Sequence, residues 1–123
     1  MKNIEIHTTR KESRPYITKD GSEIRELMHP DVHGNRNQSL AEAIIHPGCE
    51  TELHLHHLSE ELYYILSGSG QMTLGERVFS VAAGETICIE PGVRHKIKNT
   101  DNQDLIILCC CSPPYSHDDT KLL

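Results

Sequence analysis

Residues 48–68 read GCETELHLHHLSEELYYILSG, and how this stretch divides into strands decides the fold. Glu52–His57 and Glu61–Ser67 each alternate apolar and polar side chains and are separated by a short polar break, the pattern of two strands joined by a loop. His54 and His56 are two apart, so both leave one face of their strand, with Cα atoms about 6.6 Å apart, a spacing from which both imidazoles reach one ion. Glu61 opens the next strand and falls beside His56 if the two run antiparallel. The same parity sends Tyr63 and Ile65 inward behind Glu61 and sets Glu52 on the face of His54 and His56, nearer the rim, while His57 turns away.

Moving outward, short β-branched or apolar runs alternate with Gly, Pro and Asn. The runs are Leu40–His46, Gly70–Leu74, Arg77–Val81, Thr86–Glu90, His95–Lys98 and Asp104–Cys111. Strands at this spacing predict an all-β sandwich or barrel over 39–112. Residues 1–38 are less regular: Asp20-Gly21 marks a turn, Glu23–Leu27 a strand, and His29–Asn37 a polar loop. This segment supplies one or two outer strands that extend the sheet or pair with another subunit. Residues 113–123 are expected to leave the barrel as a loop with a short helical turn. His95 follows the Pro91-Gly92 turn, and a barrel can return its strand to the inner face of His54 and His56. Three imidazoles and one carboxylate make a borderline N/O donor set, which suits Fe, Mn, Co, Ni, Cu or Zn better than Ca or Mg.

These spacings resemble the cupin superfamily. Its first motif is Gly, five residues, His-x-His, three or four residues, Glu, six residues, Gly. Gly48, His54, His56, Glu61 and Gly68 match every position. In the second motif Gly84, Gly92, His95 and Asn99 fall in register, while Glu90 stands where the first Pro is expected and Pro91 follows it. The resemblance implies a double-stranded β-helix, or jelly roll, with His54, His56, Glu61 and His95 as metal ligands and a homodimer as the assembly. The six-residue count to Gly68 selects Glu61 over Glu60. Small cupins include dioxygenases, sugar isomerases and epimerases, decarboxylases and lyases. The expected function is therefore a metalloenzyme acting on a small polar organic substrate, by oxygenase or isomerase chemistry; the alternative is a metal-anchored binding or sensing module without turnover.

The remaining residues narrow the field. Glu52 is a candidate general base and Tyr63 a candidate hydrogen-bond donor or acid in the pocket. Met72, Leu74, Ile87, Ile89 and Ile97 read as apolar lining or core. Arg25 is a candidate for pairing with a substrate carboxylate, whereas Arg94 lies on the wrong parity. His29, His33, His46 and His117 read as surface residues. The chain has 123 residues and a formal net charge of −6, with no basic run longer than Arg10-Lys11, which argues against nucleic acid. The N-terminal residues lack the apolar core of a signal peptide, and Leu105–Cys111 falls far short of the roughly 20 residues that cross a bilayer. Five cysteines without a C-x-x-C pair, three of them consecutive at 109–111, fit reduced, structural thiols in the cytoplasm. Ser116-His117-Asp118 has triad residue types, but adjacent positions cannot form a triad.

Overall fold

Period-two burial runs through most of the chain and produces two facing sheets. Residues 6–123 are described in this computed structural model; the first five residues of the 1–38 segment lie outside them. The described residues form β1 (Tyr16–Ile17), β2 (Glu23–Met28), β3 (Ser39–Ile45), β4 (His54–His56), β5 (Glu60–Ser67), β6 (Ser69–Leu74), β7 (Arg77–Ala82), β8 (Thr86–Ile89), β9 (His95–Asn99), β10 (Leu105–Ser112) and β11 (Thr120–Leu122). One sheet has the order β1-β2-β3-β10-β5-β8 and the other β11-β4-β9-β6-β7, and all the pairings are antiparallel. Among the described residues no helix is long and apolar enough to cross a membrane.

The inner faces of the two sheets close on Ile65, Met72, Ile89, Ile97, Leu105 and Ile107, each at most 1% exposed. Burying each contributes about 1.5–3 kcal/mol, so this packing carries the fold. Met72, Ile87, Ile89 and Ile97 are core as expected, with Leu74 partly buried against them. On β10 the burial alternates, so Cys109 and Cys111 point inward and Cys110 does not. All five thiols are free.

Two expectations need correction. The tail does not leave the barrel: β11 pairs with β4, with Thr120 opposite His56. A three-residue β4 would otherwise leave its backbone groups unpaired on that side, and the returning chain satisfies them. The loop after β2 contains a single helical turn, α1 (Pro30–His33), and His29 is its N-cap. That His29 is 8% exposed, not a surface residue; its Nδ1 accepts from the Asp31 N–H, which leaves Nε2–H to donate to the Tyr115 carbonyl at 2.7 Å. In the N-terminal segment β1 pairs with β2, and β2 pairs with β3.

Candidate metal centre

β4 and β9 are neighbours with His54 opposite His95, and His56 lies two residues on along the same face. Glu61 comes from β5, in the other sheet, so the cluster bridges the two sheets. Burial on β5 alternates from Glu60 exposed and Glu61 buried onward, which separates the two glutamates as the motif count does. One ligand nitrogen from each of His54, His56 and His95 lies within 4.8 Å of the others. Glu61 Oε1 sits 3.1 Å from His56 Nε2 and 3.6 Å from His95 Nε2.

Each imidazole is oriented by what its Nδ1 touches. A carbonyl oxygen only accepts, so Nδ1–H of His54 donates to the Glu52 carbonyl at 2.7 Å, and Nδ1–H of His95 donates to the Val93 carbonyl at 3.0 Å. His56 Nδ1 meets Thr120 Oγ1 at 3.0 Å, and that hydroxyl spends its own hydrogen on the Ser116 carbonyl at 2.8 Å. The Thr120 oxygen therefore accepts from His56. These contacts anchor the Nδ1 side of each ring and turn Nε2 toward the cluster, where His56 Nε2 lies in hydrogen-bond contact with Glu61 Oε1 at 3.1 Å. His95, 0% exposed, has no hydrogen-bond partner on Nε2. A buried acceptor without a donor, facing a carboxylate oxygen, is what a cation relieves, and the donor set of three imidazoles and a carboxylate fits a transition ion.

The charges agree with this arrangement. Burial, then the neighbouring His95, push the His54 imidazole below its ordinary value, which favours the neutral ring a metal needs. Burial by itself would raise the Glu61 carboxyl, but His56 and His95 overcome it and hold it down to about 2. Burial and the Glu61 charge raise the Cys111 thiol, so it stays protonated and donates to Glu61 Oε2 at 3.2 Å. One carboxylate oxygen is thus held by sulfur while the other faces the imidazoles.

Beside the cluster lies a cavity of about 50 Å³ whose walls include Asp20, Glu26, Thr51, Tyr63 and Tyr115. Tyr63 faces inward as parity requires, 5% exposed, its ring 6.2 Å from that of His95. Burial, then Glu61, raise its phenol well above the usual range, so it remains a neutral donor. Glu52 is not brought to the cavity. Residues 49–53 are irregular apart from a bridge between Glu50 and Lys98, so parity breaks before β4. Thr51 turns inward instead, and Glu52 is exposed. Arg25 donates to the Ser13 carbonyl, away from the cavity, and Arg94 is exposed.

Four further residues contribute to the site without any local sequence signal that marks them. Asp20 stood out only as a turn residue, yet its Oδ2 lies 3.5 Å from His54 Nε2. Tyr115 packs its ring 5.9 Å from that of His56. Thr120 orients His56, and Asp119 accepts from the Leu58 and Ser59 N–H groups, holding the loop between His56 and Glu61. The last three come from the tail, which local patterning treated as a loose end.

The comparisons agree with this geometry. The family model for the cupin domain matches residues 41–111. An uncharacterized protein of Methanocaldococcus jannaschii is 55% identical over 96% of this chain and 94% of its own length. The oxalate-binding protein of Thermotoga maritima is 31% identical over 70% of this chain and 71% of its own. Among solved structures, a predicted oxalate decarboxylase of Thermotoga maritima superposes with a TM-score of 0.76 at 26% identity, covering 87% of this chain and 98% of that one.

Proposed function

The chain belongs to the cupin-domain family, and from that premise we propose that it holds one divalent transition-metal ion (Fe, Mn, Zn, Ni, Co or Cu) through His54, His56, Glu61 and His95 and acts as a metalloenzyme on a small polar organic molecule. The observation that carries this reading is the convergence of one ligand nitrogen from each of His54, His56 and His95 within 4.8 Å of one another, each ring anchored through Nδ1, with Glu61 Oε1 at 3.1 and 3.6 Å from Nε2 of His56 and His95. His54, His56, Glu61 and His95 would hold the ion, which would supply Lewis-acid polarisation of a bound substrate. Tyr63 and Tyr115 present neutral phenols at the cavity wall, Tyr115 raised to about 12 by burial first. They orient a bound molecule as hydrogen-bond donors. Oxygenase and sugar isomerase or epimerase chemistry both fit. A carrier without turnover is the second reading, favoured by the relative named as oxalate-binding. Oxygen uptake or product formation by the loaded protein separates the two.

The test of the metal reading is elemental stoichiometry, with one ion per chain expected. Because the imidazoles must be unprotonated to bind, apparent affinity should fall as pH drops from about 7 to 5. The lowered His54 value places its share of the loss toward the acid end of that window. Undiminished affinity at pH 5 would remove the histidines from the ligand set.

We also propose a homodimer formed through the outer face of the six-stranded sheet. There Leu40, Cys110 and Leu62 lie in register across three strands, beside Leu108 and Tyr64, and Leu40, Leu62 and Tyr64 are 38–41% exposed. Sedimentation velocity should give twice the chain mass, and a monomer would sink this assignment. We further propose a reducing, cytoplasmic setting, which the five free thiols favour.

A further inference from the structure

Among the described residues the walls of the cavity carry acceptors and carboxylates with no Lys or Arg to balance them. Asp20 and Glu26 line it together with Glu61. Lys19, next to Asp20 in sequence, turns its ammonium to the carbonyls of His117 and Thr120. Arg10 is committed to Glu42 and Arg25 to the Ser13 carbonyl.

Asp20 is held rigidly, with one oxygen left over. Its Oδ1 accepts from the Thr18 hydroxyl at 2.7 Å, the Ser22 N–H at 3.0 Å and the Ser22 hydroxyl at 2.6 Å. Its Oδ2 accepts nothing among the described residues and lies 3.5 Å from His54 Nε2, beside the metal cluster. Glu26 repeats the pattern. Its Oε2 accepts from the Tyr16 hydroxyl at 2.8 Å, while its Oε1 is buried without a partner. Two buried or half-buried carboxylate oxygens without donors call for a ligand that brings donors.

A divalent ion brings two positive charges against three carboxylates, so the loaded cavity keeps a formal negative charge. In a site screened from water, charges a few ångströms apart interact far more strongly than in bulk solvent. A dianion is therefore opposed by Asp20 and Glu26 even as the ion attracts it. Among the described residues no guanidinium fork lines the cavity to receive a carboxylate or phosphate.

We infer that the cavity selects a neutral, hydroxyl-bearing small molecule over an anion, with Asp20 Oδ2 and Glu26 Oε1 accepting hydrogen bonds from its hydroxyls. This rests on the metal reading above and narrows it to a substrate class. Asp20 and Glu26 act as specificity residues: they exclude dianions such as oxalate by charge and hold hydroxyls by geometry.

The test uses Mn(II)-loaded protein, with Mn(II) stoichiometry and affinity measured first. Wild type is then compared with Asp20→Asn/Glu26→Gln. The amide oxygens of this variant still accept from Thr18, Ser22 and Tyr16, so the turn and strand keep their hydrogen bonds. Calorimetry with oxalate as dianion and dihydroxyacetone as neutral hydroxyl probe gives the readout. The double variant should bind oxalate at least tenfold more tightly than wild type and dihydroxyacetone more weakly, with Mn(II) affinity changed by less than about tenfold. Absence of Mn(II) binding in wild type would overturn both the metal reading and this inference. Normal Mn(II) binding with equal oxalate affinities in the two proteins would overturn this inference alone. A loss of Mn(II) affinity beyond about tenfold in the variant would also overturn it, by making the carboxylates part of the metal site instead of selectors.

Discussion

His56→Ala should lower metal affinity by more than about 100-fold while leaving a folded barrel. Loss of an outer partner that merely orients a ligand typically costs about 10- to 100-fold, and removing the ligand itself must cost more. The variant loses one candidate ligand nitrogen, Nε2, which is also the hydrogen-bond partner of Glu61 Oε1 at 3.1 Å. Folding should survive because β4 is three residues long and the fully buried apolar core is supplied by β5, β6, β8, β9 and β10. Leaving Glu61 with one partner fewer should lower stability by about 1–3 kcal/mol. Thr120→Val provides the graded comparison. It keeps the shape of the side chain but removes the oxygen that accepts from His56 Nδ1, so the ring loses its fixed tautomer and affinity should drop by about 10- to 100-fold. Metal titration monitored by calorimetry, with far-UV circular dichroism at 25 °C, checks both variants. If His56→Ala loses its β-sheet signal, the ion is holding the fold together. If Thr120→Val binds like wild type, the tautomer argument fails.

Gly68→Ala should destabilise the barrel by about 3 kcal/mol, lowering the melting temperature by roughly 10 °C. Gly68 is the single residue between β5 and β6, where the chain crosses from one sheet to the other, and its φ is +88°. An alanine there would carry left-handed strain of about 1–2 kcal/mol. Its Cβ would also stand 2.7 Å from the Asp104 carbonyl oxygen and 3.1 Å from Leu105 Cα. Those are backbone atoms at the head of β10, which is paired to β3 and β5 on its two sides and has little freedom to retreat. Gly84 isolates the two contributions: its φ is +91°, yet a Cβ there meets nothing within 4 Å. Gly84→Ala should therefore show the strain alone, about 1 kcal/mol. Urea unfolding of both variants measures the difference. Equal losses would mean that the contact with β10 contributes nothing.

Parity explains how far the site could be read from residues alone. Where a strand is regular, the face of each side chain follows from counting. Glu61 and Tyr63 therefore fall inward and Glu60 outward, and His57 falls away from His56. Where the strand is interrupted, counting fails. Glu52 was placed with His54 by assuming a strand through residues 52–57, but the chain is irregular before His54 and Thr51 takes the inward place. His29 looked like one more surface histidine because its partners, Asp31 N–H and the Tyr115 carbonyl, are a helix N-terminus and a segment 86 residues away.

The order of residue types along the chain determined the alternating strands, the corners between them and the spacing of four candidate ligands, because strand periodicity and turn chemistry are local properties of a few neighbouring residues. Tertiary structure alone decided that the tail would return to orient His56 through Thr120, that Asp20 would leave a turn to face His54, and that two sheets would close around a cavity lined by carboxylates. Those contacts join residues as much as 64 positions apart, and no local pattern specifies which distant side chain will supply the missing hydrogen-bond partner once the sheets pack.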